Sequence, residues 1–206
     1  LVGAYGATAQ QHLLIAKCHI YSIAGDLRGL AKTVAAARAL NHEPAWTSYE
    51  AWLRYFSASV AYYHNDLPAA EQALAELMPR RYQATPHCFV QSVCVLAMTY
   101  QAQGRPAAAN DLVTQALAHL QDMGNAITAA QLRAFQAELA LRQGRPEEAQ
   151  FLALELSQES LPQMPFFYTP HMTLVRLHLQ RNTATSRRAA FTLLERLDQH
   201  LSQTHN

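Results

Sequence analysis

Residues 103–117, "QGRPAAANDLVTQAL", and residues 143–156, "QGRPEEAQFLALEL", decide the fold. Each opens on Gln-Gly-Arg-Pro and runs into an apolar stripe of helical spacing. Gly104 and Gly144 suit the left-handed conformation that ends a helix. Pro106 and Pro146, two residues on, suit the first turn of the next helix, where a backbone N–H is not needed. Working outward, the same turn recurs in "AGDLRGLAKTVAAARAL" (24–40) and "HNDLPAAEQALAEL" (64–77). Aligned on Gly25, Asn65, Gly104 and Gly144, the copies step by 40, 39 and 40 residues. A fifth, looser copy, "RNTATSRRAAFTLLERL" (181–197), turns near Asn182 and carries about two extra residues in its turn. A fixed period of this length is the mark of stacked helix–turn–helix units.

Fixed offsets from the turn repeat as well. Seven residues before it stand Cys18, Ala58, Ala97 and Ala137, and five after it stand Leu30, Ala70, Ala109 and Ala149. Mostly small side chains there let the two helices of a hairpin approach closely. Further on, Val34/Ala37, Leu74/Leu77, Val113/Ala116 and Ala153/Leu156 mark the buried stripe of each second helix. Asp26 and Asp66 are placed to cap those helices. The expected helices are 9–24 and 27–41, 46–64 and 67–81, 87–103 and 106–122, 125–143 and 146–159, 166–181 and 185–203. The intervening loops carry Pro44, Pro86, Gly124, Pro162 and Pro165, all helix breakers. The reading is all-α: one domain over 1–206 with hairpins at about 9–41, 46–81, 87–122, 125–159 and 166–203. Neighbouring hairpins must stack, because one alone cannot cover its apolar face.

Composition narrows the function classes. Sixteen Lys and Arg face fifteen Asp and Glu, for a net charge of +1. That balance offers no electrostatic footprint for nucleic acid or an anionic membrane, and the densest basic run is only Arg187-Arg188. No apolar run approaches the ~20 residues of a bilayer span. The start lacks both a signal-peptide pattern and an initiator Met, so a fragment of a longer protein is expected. Three cysteines, Cys18, Cys88 and Cys94, without a CxxC pair argue against a disulfide framework.

Catalytic signals are absent. No GxSxG elbow occurs, and the adjacent Glu147 and Glu148 serve a helix N-terminus rather than acid–base work. His12/His19 and His171/His178 are seven apart, about 10 Å along a helix and too far to share an ion. No metal site, no cofactor and no enzymatic activity are expected. Aromatic residues concentrate instead on the first helix of the second hairpin: Trp46, Tyr49, Trp52, Tyr55, Phe56, Tyr62 and Tyr63. A second run, Phe166-Phe167-Tyr168, is placed to staple the fifth hairpin to the fourth.

The "QGR-P-EEA" turn and its apolar stripe resemble the tetratricopeptide repeat. The period exceeds the usual ~34 residues, the Trp-Leu-Gly-Tyr signature is missing, and only Tyr21 and Tyr100 hold the aromatic position four before the turn. With "LVRLHLQRNTATSRRAAFTLLERLDQHLSQTHN" (174–206), the longer repeat resembles the superhelical domain of large ATP-dependent LuxR-type regulators of the MalT class. The resemblance implies a right-handed α-α superhelix of about five repeats. It also implies a cytoplasmic sensing module that binds a small-molecule inducer or a regulatory protein or peptide and relays this to the parent's other domains. This segment holds no Walker A loop and no DNA-binding helix-turn-helix, so neither nucleotide nor nucleic acid is expected to bind it directly. In such arrays first helices line the concave groove. That register places His12, His19, Trp52, Tyr55, Tyr62, Gln91, Met98, Gln131, Glu138 and Arg176 there, a surface suited to a sugar or a peptide; the alternative is that Trp52 and Tyr55 are core. A protein–protein scaffold unrelated to transcription is the other function class. Its chaperone-binding subtype is excluded, because helix 46–64 has no Lys or Asn and helix 87–103 has neither Lys nor Arg.

Overall fold

A computed structural model describes residues 2–40, 47–155 and 166–204. Trp46, Pro44, Leu156, Pro162 and Pro165 lie outside the described residues. Within them the chain is helical and contains no strand. The helices are α1 (Val2–Ile23), α2 (Leu27–Leu40), α3 (Ser48–Tyr63), α4 (Leu67–Leu74), α5 (Pro86–Ala102), α6 (Pro106–Asp122), α7 (Ala126–Arg142), α8 (Pro146–Leu152), α9 (Pro170–Arg181) and α10 (Ala184–Thr204). They fall into two compact units, Leu1–Leu112 and Val113–Asn206, with the division inside α6. In the first unit α1 packs on α2, α3 on α4, and α3 also meets α1, α2 and α5. In the second, α7 packs on α8 and on α9, and α9 on α10. No described helix is long and apolar enough to cross a membrane.

The turns form for the local reasons read from the sequence. Gly25, Asn65, Gly104, Gly144 and Asn182 all have positive φ, between 49° and 73°. At Gly104 the amide of Arg105 bonds the Tyr100 carbonyl at 2.9 Å, and the Gly104 amide bonds the Gln101 carbonyl at 3.1 Å. This paired closure satisfies the last carbonyls of α5. Asp26 accepts from the Gly29 amide at 2.8 Å, and Asp66 from that of Ala69 at 3.2 Å, as N-caps do. Thr47, Thr85 and Asn125 cap α3, α5 and α7 in the same way.

Burial follows the fixed offsets. Cys18, Ala58, Ala97 and Ala137 are wholly buried, and so are Leu30, Ala70, Ala109 and Ala149 to within 1%. Val34, Ala37, Leu74, Leu77, Val113 and Ala116 continue the buried stripe, while Ala153 is half-buried.

Four expectations need correction. α4 ends at Leu74 rather than near 81, and turns follow as far as a 3-10 segment, Arg81–Gln83. Pro79 lies in those turns, and its ring cannot continue a helix. α8 is likewise short and passes into a 3-10 segment, Ala153–Glu155. The Phe166-Phe167-Tyr168 run is not helical; α9 starts only at Pro170. Its stapling role holds, because the buried Tyr168 ring stands edge-on to Phe135 of α7 at 4.9 Å. The fifth copy carries no two-residue excess. Its buried positions Ser186, Ala190 and Leu193 fall 4, 8 and 11 residues after Asn182, against 5, 9 and 12 in the first three copies, so it is one residue shorter than those. Leu193 joins Leu174, Val175 and Ala190 in one apolar cluster between α9 and α10. Leu197 is also buried, but Leu194 stays exposed beside Phe191 on α10.

Candidate functional site

α1, α3 and α5 bring three half-buried rings together in the first unit. His19 of α1 stands edge-on to Trp52 of α3 at 4.6 Å, and His87 of α5 faces the same indole at 6.3 Å. Phe56 lies beneath, stacked on Trp52 at 5.8 Å and edge-on to His19 at 5.0 Å. Trp52 and Phe56 are one helical turn apart, so both present to the same neighbours. Burial holds the His19 imidazole down to about 4, with the charge of His87 a second cause, and burial lowers His87 too. Both rings are therefore neutral near pH 7 and leave Trp52 an uncharged aromatic setting.

Three other groove residues of the first unit are corrected. Tyr55, Gln91 and Met98 are buried, Tyr55 at 1% exposure and Gln91 at 0%. Tyr55 packs on Phe56 at 4.9 Å and on Trp52 at 5.6 Å. So much aromatic area gains more from leaving water than from facing it. Gln91 and Met98 lie on a helix that is buried on every side from Cys88 to Thr99, which the near-continuous apolar run of α5 demands. Tyr62 is half-buried against Tyr63, and His12 is exposed. His87 escaped the sequence reading, although it lies one turn before Gln91 on the same face of α5.

In the second unit the structure joins two of the predicted residues directly. Glu138 of α7 accepts from Arg176 of α9 at 2.7 Å and from Arg142, one turn along α7, at 2.7 Å, both through Oε1. Its Oε2 accepts from the Thr173 hydroxyl at 2.9 Å. Thr173 has one proton and spends it on the carboxylate, so Tyr168, 3.0 Å away, donates to Thr173. Glu138 is buried, which corrects its expected place on an exposed groove surface; a buried carboxylate needs these donors. Arg142 and Thr173 are the residues the sequence reading missed here. Their spacings, i+4 from Glu138 and i−3 from Arg176, were the available signal. Gln131 is half-buried on the same face of α7.

A cleft of about 560 Å³ opens between α2, α3 and α4. Alanines at 31, 35, 61 and 73 line much of it, with the Glu50–Arg54 ion pair beside them. It involves none of the predicted site residues. Burial pushes the Cys18 and Cys88 thiols up to about 12 and Cys94 well above its ordinary value, which disfavours the thiolate at each. Among the described residues no group of three His, Cys, Asp or Glu is placed to hold a metal ion. No protein-family model matches the chain, and neither a curated protein nor a solved structure matches it.

Proposed function

We propose that this chain is a non-catalytic sensing and interaction module, a right-handed tetratricopeptide-like superhelix from a cytoplasmic LuxR/MalT-type activator. Its ligand, a small-molecule inducer or a regulatory protein or peptide, docks on the first helices at Trp52. One observation carries the reading: three successive first helices each contribute a half-buried aromatic or imidazole ring, His19, Trp52 and His87, around one indole. An aromatic face with neutral hydrogen-bonding rings beside it suits a sugar ring or a peptide side chain. The repeated turn chemistry and the wholly buried small residues seven before each turn support the repeat architecture.

The test uses tryptophan emission. The sequence holds two tryptophans, Trp46 and Trp52, so Trp46→Phe leaves a single reporter. Titration with panels of oligosaccharides and of peptides should give a saturable change from Trp52 with one panel. In the full-length regulator Trp52→Leu should weaken the response at least tenfold. A folded Trp52→Leu protein that responds normally overturns the site. Flanking sequence without a P-loop domain and a C-terminal helix-turn-helix overturns the regulator assignment and leaves a general scaffold.

A further inference from the structure

We propose that Arg142 and Arg176 form a second binding site, which takes the carboxylate of a small organic acid and lays its hydrocarbon part along Met172 and Leu179. These residues belong to α7 and α9, and none of them takes part in the Trp52 cluster.

The charge arithmetic is the first support. Two guanidinium groups converge on one carboxylate oxygen, Glu138 Oε1, each at 2.7 Å. Glu138 neutralises one of them, which leaves a surplus of one positive charge. No other acid lies on either helix: α7 carries Arg133 and Arg142 besides Glu138, and α9 carries only His171, Arg176, His178 and Arg181 among its titratable groups. One monoanion would balance the pair.

The second support is geometric. The Glu138 side chain is 3% exposed, so the anchor is inside, while the Arg142 and Arg176 side chains are 40% and 44% exposed. Each arginine spends one N–H on Glu138, and its other N–H groups make no bond to a described residue. A planar guanidinium already fixed at one edge loses little freedom when its other edge meets a carboxylate, and the fork geometry matches two oxygens. An unanchored surface arginine would not have this advantage.

The third support is the flank. Met172 and Leu179 stand at i−4 and i+3 from Arg176, on the same strip of α9, and are 36% and 51% exposed. Apolar surface beside a cationic fork distinguishes an organic acid from an inorganic anion.

The experiment follows the arginine Nε–H resonances of the whole chain at constant ionic strength, with sodium chloride as reference. Sodium acetate, sodium hexanoate and inorganic phosphate are the probes. Saturable shifts at Arg142 and Arg176 are expected, with hexanoate at least tenfold tighter than acetate because its extra methylenes leave water. Arg176→Gln should weaken hexanoate at least fivefold, while Arg188→Gln, an equal charge loss at an exposed position of α10, should stay within twofold. Leu179→Asn changes only an exposed side chain, and should weaken hexanoate while sparing acetate. Shifts no larger than those of chloride, equal affinity for acetate and hexanoate, tighter binding of phosphate than of hexanoate, or an equal loss in Arg188→Gln would each overturn the proposal.

Discussion

The imidazole of His19 meets the indole of Trp52 edge-on, 4.6 Å between centroids and 71° between planes. That contact keeps the ring out of water and favours its neutral form. The folded value of about 4 lies below the ordinary 6.5. The unfolded chain therefore takes up a proton first as the pH falls. Stability from this group is complete above about 6.5 and is lost as the pH drops towards 4. His87, His171 and His178 are lowered by burial as well and add to the same trend. Melting temperatures of the wild type and His19→Phe, compared between pH 7 and pH 4, should isolate the share of His19. The wild type should lose more over that range, and parallel curves would refute the assignment.

Gly104 has φ +73°, and a Cβ added there would meet no atom within 4 Å. Space is open, so backbone conformation alone sets the cost of substitution. Gly104→Ala should destabilise by about 1 kcal/mol. Gly104→Asn should cost clearly less, because Asn65 and Asn182 hold the same turn position at φ 59° and 49°. Urea denaturation of both variants checks the order.

Ala137 is wholly buried at the position seven before its turn. Ala137→Leu should overpack α7 and cost ~1–3 kcal/mol. Ala130→Leu, on an exposed position of the same helix, should stay within about 0.5 kcal/mol. Equal melting temperatures for the two variants would mean that the register of α7 is wrong.

Thr173 passes a hydrogen bond from Tyr168 to Glu138. Thr173→Val keeps the shape but removes the donor to Glu138 Oε2, a loss of about 1–3 kcal/mol. Tyr168→Phe removes one hydroxyl donor and should cost about 1 kcal/mol. The double variant should lose less than the sum of the two, because the residues act through one chain of bonds. Strict additivity in thermal denaturation would show that the two hydroxyls act independently.

The turns and stripes of this protein were legible in the sequence because they are local. A positive φ at Gly104, a cap from Asp66 and a buried Ala137 depend on residues within a few positions and on helical periodicity. The register that the tetratricopeptide resemblance implies put Glu138 and Arg176 on one exposed surface; the two side chains do meet, but Glu138 is buried. Local reasoning could not tell which first-helix side chains would face water. Tyr55 and Trp52 are three residues apart on one helix, yet one is buried and the other half-exposed, because the neighbouring helices cover them unequally. Gln91 looked like a groove residue from its type and register, but α5 is closed on every side from Cys88 to Thr99. His87, Arg142 and Thr173 entered their sites only once α5, α7 and α9 were placed beside their partners. The one-residue shift after Asn182 was likewise decided by packing: at that rotation of α10, Ala190 and Leu193 meet Leu174 and Val175 of α9. Pattern along a chain sets which elements form; the rotation and approach of each element, set by the fit of side chains from distant segments, decides which residues are left for a ligand to touch.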